Sequence, residues 1–138
     1  MSASPSPVAF YIVKTGLDPN LLACRLCRRV GIVAKTPLFV RFSDLAAMQA
    51  FNDLLWTFEV SSFVPHEIDD PTAPVCLGLQ VPDQFAGCCL NLADDAADPA
   101  RFERILEIIG DSDEARVQGR QRFRWYRQQG IEPQTFEV

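Results

Sequence analysis

Residues 104–130, RILEIIGDSDEARVQGRQRFRWYRQQG, decide how this chain folds. Arg104 to Ile109 is ambiguous by pattern: Phe102, Leu106 and Ile109 have helical spacing, whereas Ile105, Ile108 and Ile109 are β-branched and favour a strand. It is read as a strand, entered through a short helical or extended lead at Pro99 to Glu103. Beyond the strand runs one long helix with clear ends. Ser112 stands where a side chain caps the N-terminus, and Asp113 and Glu114 come next, where the helix dipole favours anions. Arg127 lies near the C-terminal end, and Gly130 is a natural residue just past it. Gly119 costs about 1 kcal/mol against Ala inside a helix, so it is expected to permit close backbone packing.

At about 100° per residue, Arg116, Arg120, Arg124 and Arg127 fall on one stripe, with Phe123 on its border. Ala115, Gly119 and Tyr126 share a neighbouring arc suited to face a core. The helix carries five Arg and no Lys in a chain whose net charge is −5. Arg grips carboxylate or phosphate with a planar fork that Lys lacks. A cationic stripe edged by an aromatic ring, on an acidic protein, reads as a receptor for a particular anion and not as a general nucleic-acid surface. The plain alternative for any such stripe is a solvated helix face.

Outward from this unit the chain alternates strand and helix. Val8 to Val13 is a continuous apolar run rich in β-formers, hence a buried strand. Asn20 to about Val33 has helical period, with Leu22, Ala23, Leu26, Cys27 and Val30 on one arc and Arg25, Arg28 and Arg29 opposite. Pro37 to Phe42 is a second strand. Ser43 is the expected cap of the next helix, with Asp44 in its first turn, running to about Trp56. Thr57 to Ala73 reads as irregular. Pro74 to Gln80 and Cys88 to Leu92 are further strands, and a short tail ends the chain after the Arg helix. Strands alternating with helices, without early tight hairpins, predict an α/β fold: one three-layer domain, 1–138, around a mostly parallel sheet. Met1 to Pro7 is expected to be a short flexible lead-in.

The 138 residues are 48% apolar, enough for a core. Net negative charge argues against nonspecific DNA binding as the main task. No apolar run approaches the roughly 18 residues that span a bilayer. The N-terminus lacks the basic region of a secretory signal. Five Cys without a disulfide-framework pattern fit a reducing cytoplasm.

Catalytic signatures are weak. Cys24 and Cys27 match C-x-x-C, but both lie inside a predicted helix and Cys27 is on its apolar arc, so core thiols are expected. Cys88 and Cys89, adjacent on a strand, point to opposite faces. His66 is the sole histidine and has no nucleophile motif beside it; a structural or interface role is expected. The first strand–loop–helix turn, KTGLDPNLLA, has one glycine where a dinucleotide fold has three, and no phosphate-loop lysine appears. Asp69–Asp70 and Asp94–Asp95 have no third ligand at useful spacing and read as solvated loop acids. No metal, cofactor or catalytic residue is expected. Trp56, Phe58, Phe63, Val64 and Pro65 form a second cluster, either a core plug under a long loop or a partner surface.

The two clusters together carry a resemblance. LLWTFEVSSFVPH at Leu54 to His66 and ARVQGRQRFRWYRQQG at Ala115 to Gly130 resemble the chi subunit family of bacterial DNA polymerase III holoenzyme. FYIV at Phe10 to Val13, LACRL at Leu22 to Leu26 and the FERILEII stretch fit in the same order, so the likeness covers nearly the whole chain. It implies a noncatalytic accessory subunit of Rossmann-like shape, cytoplasmic and replisome-associated, meeting DNA only indirectly. It also implies two partners: the psi subunit, which tethers chi to the clamp loader, and the acidic C-terminal tail of single-stranded DNA-binding protein. By that resemblance Ile109, Arg120, Phe123 and Arg124 hold the tail. Arg120 and Arg124 would take its carboxylates, and Ile109 and Phe123 its terminal Phe ring. Trp56 and Phe63 match positions that contact psi. Two other classes compete: a nucleotide-binding α/β enzyme with a degenerate site, and a direct single-stranded DNA binder using the Arg stripe.

Overall fold

In the computed structural model, which describes residues 6–58 and 64–138, strand β1 (Val8–Ile12) opens the chain. The expected lead-in at Met1 to Pro7 lies outside the described residues except for Ser6 and Pro7. Helix α1 (Pro19–Cys27) starts where Asp18 accepts from the Asn20 backbone N–H and Pro19 removes an N–H that would have no partner. The predicted helix does not hold one pitch to Val33. From Arg28–Val33 it widens into a π-turn, with Ala34 N donating to Arg29 O at 2.9 Å. A Cβ on Gly31 in this turn would lie 2.7 Å from a Val75 methyl, so the glycine lets the chain touch the sheet.

Strand β2 (Leu38–Arg41) and helix α2 (Leu45–Thr57) come next. The expected cap is displaced by one residue. Asp44, not Ser43, accepts from the Ala47 N–H at 2.8 Å. Ser43 Oγ instead accepts from the Asp94 N–H at 2.8 Å and ties two loops together. The stretch read as irregular contains a strand, β3 (His66–Ile68), paired parallel with β4 (Val75–Gly78). Three residues are too few to show an alternating pattern. Then come β5 (Cys88–Asn91), a 3₁₀ turn at Pro99–Arg101, β6 (Arg104–Ile109) and helix α3 (Asp113–Gln128). The predicted tail is a further strand, β7 (Gln134–Glu137), paired with β1. Its sequence QTFE is polar and mostly exposed, so no hydrophobic signal marked it.

Among the described residues the seven strands form one wholly parallel sheet in the order β3-β4-β2-β5-β6-β1-β7. Helices α1 and α2 cover one face over Leu38, Val40, Leu77, Leu90 and Leu106. Helix α3 covers part of the other over Phe10 and Ile109, and Phe85 and Phe102 close the remainder against Phe39. This is the expected three-layer α/β architecture. Cys88 and Cys89 belong to the cores on opposite faces. Among the described residues no helix is long and apolar enough to cross a membrane.

Candidate functional site

Helix α3 is positioned by three features, and the two that touch the sheet set which of its faces meets solvent. Ser112 Oγ accepts from the Ala115 N–H at 3.1 Å and fixes where the helix begins. At Gly119 the helix presses on β6: a Cβ there would lie 2.7 and 2.8 Å from Ile109 side-chain atoms. The close packing expected of this glycine is present. The third feature is polar. Arg122 Nε donates to Glu107 Oε1 at 3.0 Å, and the Tyr126 hydroxyl donates to Glu107 Oε2 at 2.7 Å. Asn91 Nδ2 donates to the same Oε2 at 2.8 Å, and the Ala97 N–H donates to the Tyr126 hydroxyl oxygen at 3.0 Å.

Glu107 is completely buried. Burial raises its pKa above the ordinary carboxylate value, opposed by the Arg122 charge and by bonds from Asn91, Tyr126 and Arg122. Burial and the neighbouring Glu107 also raise the Tyr126 pKa, so its hydroxyl stays a donor. This network was missed in the sequence, where Arg122 was one of five helix arginines. Two signals mark it in retrospect: a lone Glu inside the apolar run RILEII, and an Arg four residues before a core-facing Tyr.

With α3 so keyed, Arg116, Arg120 and Arg124 are exposed, and among the described residues none pairs with a carboxylate. Arg127, on the same stripe, is held by Glu132 at 3.2 Å. Phe123 is half-buried, its ring 5.2 Å from that of Phe10. Ile109 is only 9% exposed beneath Gly119, so it belongs to the floor more than to the open rim. Ile109 and Phe123 join the same apolar cluster, and Arg120 and Arg124 flank Phe123 along the helix. An anion bearing an apolar end would find charge and ring side by side here.

The second cluster divides. Val64 is buried in the core and Phe58 packs against it, whereas Trp56, in the last turn of α2, is 49% exposed. Phe63 lies outside the described residues. The Trp56 ring lies 4.4 Å from His66, which is buried. His66 Nδ1 faces Val64 O at 2.6 Å, so in the neutral ring Nδ1 carries the proton, and Nε2 has no partner among the described residues.

The thiols are core groups. Burial pushes Cys24 up to about 12 and Cys76 to about 11, with Cys27 and Cys89 well above their ordinary value. These are thiols, not nucleophilic thiolates, at neutral pH. Of the loop acids, Asp95 is not merely solvated: it pairs with Arg41 at 2.9 Å. At the first strand–helix turn, the Asp18 carboxylate already occupies the N-terminus of α1 and would repel a phosphate there.

The chain matches the family model described as DNA polymerase III chi subunit, HolC, over residues 6–134. It is 30% identical over 130 residues to the DNA polymerase III subunit chi of Pseudomonas aeruginosa, covering 89% of this chain and 90% of that protein.

Proposed function

We propose, because this chain belongs to the DNA polymerase III chi subunit family, that it is a noncatalytic adaptor joining two partners in replication. One is the psi subunit, and through it the clamp loader. The other is the C-terminal tail of single-stranded DNA-binding protein. The whole of 1–138 acts as one unit in this reading.

The observation that carries the tail site is the pair of exposed guanidinium forks of Arg120 and Arg124, which meet no carboxylate among the described residues, on either side of Phe123 along the helix. An acidic tail ending in a Phe carboxylate offers the complementary groups. The forks take the carboxylates, and the edge of Phe123, backed by Ile109, takes the ring. Titration of the chain with a fluorescent peptide ending Asp-Asp-Ile-Pro-Phe tests it. Arg124→Ala is expected to weaken binding by about 1.5–3 kcal/mol, roughly 10- to 150-fold. Unchanged affinity at low salt removes Arg124 from the site.

Trp56 carries the psi surface, since a half-exposed indole at a helix end is a typical interface anchor. Trp56→Ala is expected to impair capture of psi in a pull-down while leaving tail-peptide affinity unchanged. Loss of both, with a lowered Tm, makes Trp56 a structural residue instead.

A further inference from the structure

A separate cleft of about 610 Å³ opens on the opposite face of the sheet from α3, between the α1 π-turn and the edge strand β7. Tyr11, Leu106 and Phe136 form its floor, and Leu26 and Val30 form a wall. Phe136 stacks on Tyr11 with centroids 5.5 Å apart, yet remains 41% exposed. Two guanidinium groups, Arg29 and Arg104, also line the cleft.

Arg104 is underused. Its side chain reaches across β1, where Nη2 donates to Gln134 Oε1 at a long 3.4 Å. Its Nε is buried with no acceptor, and it pairs with no carboxylate among the described residues. A guanidinium has five donors, and leaving it partly desolvated without a counter-charge is costly. The cleft therefore has an apolar floor beside an unsatisfied cation. Alongside runs the outer edge of β7, which pairs with no further strand among the described residues. An open edge offers a row of backbone donors and acceptors to an extended segment.

The geometry points to this cleft as a docking groove for an extended acidic peptide that adds to the β7 edge. The peptide places an apolar side chain against Phe136 and Tyr11, and a carboxylate on Arg104 with Arg29 nearby. Side chains in a strand alternate between faces, so the apolar and acidic residues must be two apart to enter the cleft together. Phe136 and Gln134 share that face with Arg104; Glu137 also lines the cleft, at the next position of β7, where strand alternation turns its side chain from the Phe136 face. The groove is independent of the α3 tail site and uses none of its residues.

The probe is the peptide acetyl-Thr-Phe-Thr-Asp-Thr amide, titrated into the ¹⁵N-labelled full chain and monitored by NMR. Acetyl-Thr-Phe-Asp-Thr-Thr amide is the control, with the same composition but Phe and Asp on opposite faces. The first peptide is expected to shift the amides of Gln134, Thr135, Phe136 and Glu137 and the Arg104 Nε–H signal. It should bind at least fivefold more tightly than the control. Arg104→Gln and, separately, Phe136→Ser should each weaken it at least fivefold, while Arg124→Ala leaves it unchanged. Phe136→Ser, at an exposed rim, decides the matter if Arg104→Gln disturbs the fold. Equal response to both peptides, shifts centred on Phe123 and Arg124, or unchanged affinity in a folded variant overturns the groove and leaves the tail site untouched.

Discussion

Arg122 and Arg124 stand two residues apart on one helix and do opposite work. Two residues is about half a helical turn, so when Arg122 points at the sheet, Arg124 points away from it. Arg122 supplies the charge that makes a fully buried Glu107 tolerable, while Arg124 is exposed and pairs with no carboxylate among the described residues. Arg122→Met is therefore expected to strand Glu107 without its counter-charge and to cost about 3–5 kcal/mol in urea unfolding. Arg124→Met should stay within about 0.5 kcal/mol of the parent. A small effect at Arg122 would mean that Asn91 and Tyr126 alone satisfy Glu107. The sequence alone divided these arginines only in part. It placed Arg120 and Arg124 on an outward stripe by helical period, but the partner that draws Arg122 inward lies on a strand, where local spacing does not reach.

At the scale of the element, α3 works because its position on β6 is set by close contact. Gly119 fits over Ile109 with no room for a methyl group. On helix propensity alone, Gly119→Ala would stabilise by about 1 kcal/mol. Against β6 the added methyl must push Ile109 aside, and overpacking of that kind costs about 1–3 kcal/mol. The net expectation is a lower Tm and weaker tail-peptide binding, because Ile109 and Phe123 belong to one cluster. A Tm raised by the substitution would show that α3 is not wedged here. Ser112 and Gly119 were both legible as helix features, since capping and backbone propensity depend on neighbours along the chain. The Asp44 cap shows the limit of such reading. Ser43 is the cap expected from the sequence, with Asp44 in the first turn; in the fold the Asp94 N–H takes up Ser43 from another loop, and Asp44, an equally good capping residue, caps the helix instead.

At the scale of the whole molecule, Glu107 couples the centre of the fold to pH. Burial holds its folded pKa above the ordinary value of 4.5. Above that pH the unfolded chain has lost a proton that the folded chain still binds. Stability from this group is thus full below pH 4.5 and is lost as pH rises through the folded pKa, at up to about 1.4 kcal/mol per pH unit. Thermal melts of the parent and Glu107→Gln at pH 4.5 and at neutral pH check this. The advantage of the parent over the variant should shrink, or reverse, at the higher pH. A difference that does not move with pH would show that Arg122 and the two neutral donors hold the carboxyl at its ordinary value.

By itself the amino-acid sequence determined the strand–helix alternation, the apolar and charged faces of the helices, and the cationic stripe beside Phe123. Each of these arises from periodicity, propensity or capping within a few residues, so the information is local. The tertiary structure alone decided that HEI and QTFE are strands, that Ile109 lies beneath Gly119, and that Arg122 turns inward. Segments of three or four residues gain strand geometry from the neighbour that hydrogen-bonds them. β7 finds that neighbour in β1, at the far end of the chain. Buried charge likewise takes its place from the opposite charge that folding brings near: Glu107 and Arg122 sit on a strand and on the helix after it, and neither element's own period relates the two.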